Sequence, residues 1–166
     1  MAVCDTSTID VGRNTLVEFV EACGDAEFEN LTYKLFGTTN TKSLNFTSST
    51  TDTTNDQSGA DTSTVVTRRD GEISVGGFSV KIDSIISNQI EYEKYYHAEL
   101  DAGRQPSVWI RVSSPNGTVI RYIFCVITSL NLGWNTDDPD SFETSLKPTD
   151  TGVSGVPAFN IVDVAP

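Results

Sequence analysis

The sequence predicts a mainly β domain, a β-sandwich or distorted barrel with one flanking α-helix. Three observations carry that prediction. Apolar and polar residues alternate with period two in several runs between Asn14 and Lys147. Only one segment, Ser84–Gly103, repeats its apolar residues at helical spacing. Thr, Ser and Asn fill the space left by a hydrophobic fraction of 37% and a charged fraction of 20%, and β-branched Thr favours extended backbone even where it is polar. Aromatic residues at 9% and dense apolar runs argue for a folded chain rather than disorder. The 166 residues fit one domain, residues 1–166, able to bury a sizeable core.

The first strand is expected over Asn14–Cys23, NTLVEFVEAC, where both parities carry apolar residues, as in a strand covered on two faces. GDAEFEN reads as a turn, and LTYKLFGTT as a second strand ending at Gly37. SLNFTSSTTDTTN starts with alternation at Leu44 and Phe46 and continues in Ser, Thr and Asp; strand is expected to about Thr54, then loop over NDQSGAD. STVVTRRDGEISVGGFSVKID is the clearest strand region, with Ile73 and Val75 on odd parity and Phe78, Val80 and Ile82 on even. A flip across Gly76-Gly77 is the mark of a β-bulge or sharp bend.

In the helix, Ser84 is placed to cap the start, Ile85, Ile86, Tyr92, Tyr96 and Leu100 form the stripe with Ile90 at its border, and Gly103 followed by Pro106 ends it. VWIRVSS then turns at PNGT, a hairpin signal, into VIRYIFCVITSL, the hydrophobic centre of the chain. After the loop NTDDPD, SFETSLK alternates Phe142, Thr144 and Leu146 against Ser141, Glu143 and Ser145. The irregular end, TDTGVSGVPAFNIVDVAP, carries Phe159, Ile161, Val162 and Val164, which need a surface to pack on, in this molecule or a neighbouring one.

Charge and motifs exclude more than they select. A net charge of −12 argues against binding nucleic acid through its phosphates, since that takes clustered Lys and Arg. Three cysteines, Cys4, Cys23 and Cys125, without CxxC spacing give neither a disulfide scaffold nor a zinc site. The start of the chain has no signal-peptide pattern, no apolar run is long enough to span a bilayer, and folding in a cytoplasm with no membrane partner is expected. The lone His97 lies off the apolar stripe with no carboxylate or thiol arranged beside it, and reads as an exposed or interface histidine. Asp137, Asp138, Asp140 and Glu143 match a calcium loop only loosely, and Asp-Pro is ordinary turn chemistry. GGFSV is no phosphate cradle, and no nucleophile elbow, SxxK or Walker A sequence occurs. Trp109 and Trp134 fit core packing better than a sugar platform. No catalytic residue, cofactor or metal ligand is expected.

What remains is the order of parts. KSLNFTSSTTDTTNDQSG is followed by TRRDGEISVGGFSV, then by a helix running into AELDAGRQP, VWIRVSSPNG and ITSLNLGWNTDDPDSFETSLKPTDTG. Over nearly the whole chain this order resembles the tail tube protein, or major tail protein, of long-tailed bacteriophages. The resemblance implies a virion protein made in the host bacterial cytoplasm. It implies a β-sandwich with a flanking helix, hexameric rings stacked into a tube that passes DNA, and strands from each subunit joined in an inter-subunit β-barrel. Residues 37–72 would hold the extended hairpin, and 148–166 a C-terminal segment reaching a neighbouring subunit. The partners implied are the chain itself, tail-tip initiator and terminator proteins, and DNA in transit without tight binding. An acidic bore repels phosphate, and Asp52, Asp56, Asp61, Asp70 and Glu72, in or beside the hairpin, are the expected carriers of luminal charge. The alternatives are another phage structural protein, such as a terminator or decoration protein, and a carbohydrate-binding β-sandwich.

Overall fold

The computed structural model describes residues 15–24, 27–37, 39–54, 64–78, 83–115, 117–134, 136–137 and 140–164. Eight strands and one helix follow in the order β1 (Leu16–Glu21), β2 (Lys34–Leu35), β3 (Thr39–Asp52), β4 (Thr64–Phe78), α1 (Asp83–Asp101), β5 (Ser107–Ser113), β6 (Val119–Gly133), β7 (Ser141–Pro148) and β8 (Phe159–Asp163). All pair antiparallel in one sheet, β2-β1-β5-β6-β7-β4-β3, with β8 added to β6. The chain is therefore mainly β with a flanking helix. Its layers come from one curled, unclosed sheet rather than from two separate ones.

Curling is visible where the two ends of the sheet approach. The Lys42 ammonium on β3 donates to the carbonyl of Thr15, just before β1, and burial lowers the Lys42 pKa. The concave side holds Val17 and Phe19 of β1, Val108 and Ile110 of β5, Ile123, Cys125 and Ile127 of β6, Ile73 and Val75 of β4, and Phe142 and Leu146 of β7. α1 covers this side through Tyr92, which is fully buried against the rings of Phe19, Phe36 and Phe142. Its hydroxyl meets Thr144 Oγ1 at 2.8 Å, and Thr144 in turn donates to Ser129 O. Two buried polar groups are thereby satisfied by each other.

The opposite side of β5 and β6 carries a second cluster, Phe28, Trp109, Tyr122 and Phe124, roofed by Val156, Ala158 and Val162 from the C-terminal stretch. The central strands are covered on both faces, as their unbroken apolar runs require. Trp109 stacks on Phe28 at 4.7 Å and donates its indole N–H to Cys23 O. Beside this cluster, directly paired Glu18 and Arg111 meet at 2.6 Å, with the guanidinium over the Tyr33 ring.

Several expectations need correction. The second strand shrinks to Lys34–Leu35, and the turn before it contains a 3-10 segment, Phe28–Asn30. α1 already includes Ser84, so that residue lies in the first turn rather than capping it. The buried helix face is centred on Tyr92, with Tyr95 and Tyr96 half-buried beside it, while Ile90 and Leu100 stay exposed. The reason is that Asn88 and Gln89 are spent on the carbonyls of Leu35 and Phe36, and Tyr95 on that of Ser107, which rolls the stripe toward those polar contacts. Gly103 does end the helix: its φ of 71° and the bonds Gly103 N→Leu100 O and Arg104 N→Glu99 O form a Schellman cap. The irregularity at Gly76-Gly77 is present, but the extra residue is Asn40 on β3, and β4 pairs with β7 unbroken through Phe78. Val80 and Ile82 lie outside the described residues. The C-terminal stretch forms β8 on this chain's own β6, packing Val162 inward and leaving Ile161 and Val164 exposed.

A polar four-stranded face as candidate functional site

The strand with the greatest surplus of polar residues decides the site. β3 and β4 pair along 14 and 15 residues, but β7 accompanies β4 only from Ile73 to Phe78. Beyond that point, Phe46–Asp52 and Thr64–Gly71 form a two-stranded arm with no further strand beside it among the described residues. Seven residues at about 3.3 Å each make it roughly 20 Å long. An isolated ribbon of this kind is marginal in water. Its base is pinned by Phe46, whose ring lies over Gly71 and meets Phe159 at 5.1 Å; a Cβ on Gly71 would come within 2.7 Å of that ring.

Register turns this arm and its neighbours into one surface. Leu44 pairs with Ile73, which pairs with Leu146, which pairs with Ile127, and all of these face the core. The residues between them face away. On β3 these are Ser43, Asn45 and Thr47, opposite Ser74, Glu72 and Asp70 on β4. Across β7 come Ser145 and Glu143, and on β6 Ser129 and Asn131. A bulge at Thr128 inverts the parity of β6, so that Ser129 and Asn131 join this face while Leu130 and Leu132 turn inward. Four strands, β3-β4-β7-β6, thus share a face without an apolar side chain along these rows. A shallow depression on it is lined by Asn45, Thr47, Asp70, Gly71, Glu72 and Lys147.

Of the five acids expected to share a role, the structure brings Asp70 and Glu72 together on this face. Asp52 ends β3 on the opposite parity from Asn45 and Thr47, and its carboxylate accepts from both the backbone N–H and the hydroxyl of Thr54. Those bonds lower its pKa and make it the acceptor of an Asx turn. Asp56 and Asp61 lie outside the described residues. Glu143 was missed. Its alternation with Phe142 and Thr144 was visible in SFETSLK and already assigned it the polar parity; what could not be seen is that β7 lies beside β4. Asp70, Glu72 and Glu143 stand with Lys147 in these rows, and further along the arm Arg68, opposite Ser49, holds the same parity.

Other candidate chemistry finds no support. No group of His, Cys, Asp or Glu among the described residues is arranged to hold a metal ion, and Asp138 of the loose calcium loop lies outside them. Trp109 is fully buried and offers no platform, whereas Trp134 is 74% exposed at the end of β6. No helix among the described residues is long and apolar enough to cross a membrane.

Comparison with known proteins gives the fold a context. No protein-family model matches the sequence, and no curated protein matches it. Solved structures do. A chain in the tail of an empty gene transfer agent particle with C6 symmetry superposes with a TM-score of 0.61 at 16% identity, covering 95% of this chain and 100% of the other. A chain of the SPP1 tail tube gives 0.58 at 14% identity, covering 84% of this chain and 76% of the other. A chain in the baseplate of the anti-feeding prophage gives 0.56 at 10% identity over 95% of this chain and 98% of the other. The chain has the fold of these tail-structure subunits.

Proposed function

We propose that the chain is a non-enzymatic tail-tube subunit of a phage-like particle, self-assembling into stacked hexameric rings with an acidic bore through which DNA passes. The observation that carries this reading is the polar four-stranded face ending in an unpaired arm. Such a face is stable facing water, while the arm and the sheet edges call for strands from another molecule. Fold likeness to the gene transfer agent tail and the SPP1 tail tube supports it. Six copies of four strands at about 4.8 Å spacing make a barrel of about 115 Å circumference and about 37 Å diameter before tilt, wide enough for duplex DNA with side chains projecting inward. Asp70, Glu72 and Glu143 supply repulsion without a binding site for phosphate. Asp52, at the end of β3, and Asp56 and Asp61, which follow it in the sequence before β4, add charge where one ring meets the next. Residues 148–166 contribute the exposed Ile161 and Val164 to subunit contacts. Tail-tip and terminator proteins start and stop assembly, and the virion is where the protein functions.

Electron microscopy of concentrated purified protein, with and without a tail-tip complex as initiator, tests this. Hollow tubes of uniform width are expected. Persistent monomers under both conditions, or single rings that never stack, refute it, the latter in favour of a terminator.

A further inference from the structure

We infer that Lys42 is a strut that keeps the curled sheet of the subunit from closing on itself into a barrel. Its bearing on assembly rests on the tube reading, which needs β3 with an open edge; the strut itself does not. The two ends of the sheet are poised to pair. Five antiparallel steps, through β5, β6, β7 and β4, separate β1 from β3, so the two strands run antiparallel to each other where they approach. β2 accompanies β1 only at Glu18 and Phe19, which leaves Leu16 and Val17 with no strand on that side among the described residues, and β3 bonds only to β4. Yet no ladder joins β1 to β3 among the described residues. Between them runs a cleft of about 90 Å³ walled by Val17, Val112, Leu44, Ile73 and Val75. Apolar walls of this kind gain by closing.

Lys42 is the one charged side chain lining that cleft. It stands on the inward parity of β3, with Leu44 and Phe46, directly opposite the fully buried Val75. A charge pointing inward from an end strand keeps that strand out of unwanted pairings. Two effects act here. The ammonium donates to the carbonyl of Thr15, just before β1, and so engages an acceptor where a ladder with β3 would begin. Desolvation sets the second limit. Lys42 keeps partial exposure, and burial already lowers its pKa, the mark of a charge held against its preference for water. Drawing β3 onto β1 would strip the remaining water from the ammonium. That loss exceeds what a few backbone hydrogen bonds between Leu16, Val17 and β3 return. An aliphatic side chain of similar length sets no such limit, and its burial favours closure. The competing role for Lys42 is a tie that holds the two ends together, and it predicts the opposite response to the same substitutions.

Hydrogen–deuterium exchange on the full chain as unassembled subunit is the test, with Lys42→Met, Lys42→Leu and Lys42→Arg. In the Met and Leu chains exchange at Leu16–Val17 and Thr41–Leu44 is expected to slow at least about tenfold, with a raised thermal midpoint; the Arg chain, which keeps the charge, is expected to show neither change. Unchanged or faster exchange in the Met and Leu chains overturns the strut and makes Lys42 a tie, as does failure of both to fold. Slowing in the Arg chain as well assigns the effect to side-chain shape rather than charge and overturns the strut too. Mixed with a tail-tip complex, the Met chain is expected to form fewer tubes than the unaltered chain. Slowed exchange with tubes in normal number upholds the strut and removes the open β3 edge from assembly; no tubes from the unaltered chain overturns the tube reading and leaves the exchange result standing.

Discussion

A Cβ on Gly24 would stand 2.1 Å from the carbonyl oxygen of Thr151, so the backbone after β1 and the loop that leads to β8 touch with no side chain between them. That loop is held by Thr151, whose hydroxyl donates to Val156 O and accepts from Val153 N. Gly24→Ala is expected to push the loop off, at a cost of about 1–3 kcal/mol, read as a lower urea midpoint with unchanged slope. At Tyr92 the sign of a polar change is equally specific. Tyr92→Phe removes one hydrogen bond while Thr144 keeps Ser129 O, costing about 1 kcal/mol; Thr144→Val strands the Tyr92 hydroxyl in the core and costs about 1–3 kcal/mol. Burial raises the phenols of Tyr33 and Tyr92 and the thiol of Cys125. Groups raised in the folded state contribute stability that is intact below their unfolded pKa values, about 8.5 for Cys and about 10 for Tyr, and is lost as pH climbs beyond them. Stability on this account holds from neutrality to about pH 8.5 and then falls. In a pH titration, tyrosinate absorbance from these two residues should rise together with unfolding, not before it. None of the contacts of Gly24 or Thr144 could be read from sequence, because each depends on a strand or loop more than a hundred residues or tens of residues away.

At the scale of elements, alternation did most of the work. β7 and the start of β3 follow period two, and Phe142, Thr144 and Leu146 are buried as SFETSLK required. The helix failed in its face and not in its existence, since six tyrosines and isoleucines at similar spacing allow more than one stripe, and polar contacts of Asn88, Gln89 and Tyr95 chose among them. The arm was legible as strand because Thr dominates it, but its lack of company was not, since pairing is a property of the sheet. Its energetic independence yields a prediction. Removing Asp52–Asp61 shortens a ribbon that lies outside both core clusters. The subunit should keep its thermal midpoint within a few degrees while losing assembly. Normal tubes from that variant would show that the arm's tip serves no contact between subunits.

For the whole molecule, the question is where the charge of −12 falls. Asp70 and Glu72 on β4 share one face with Glu143 on β7 through a single pairing, β4 with β7. Sequence offered the first two through the hairpin but not the third, whose place depends on chain order in the sheet. Asp70→Lys, Glu72→Lys and Glu143→Lys in one chain should leave the fold intact and give tubes that retain duplex DNA at low salt and release it as salt rises, whereas unaltered tubes retain none. Equal retention by both would place these acids elsewhere than the bore. The bulge at Thr128 carries a different kind of consequence. It sets the phase of the last five residues of β6, and phase admits only two values. Deleting Thr128 would let Ser129 follow Ile127 on a regular ladder and keep Leu130 and Leu132 inward, whereas retaining Thr128 without the bulge would turn Leu130 and Leu132 to the water side and Asn131 to the core. Homologous chains should therefore carry the extra residue together with the bulge, or lack both.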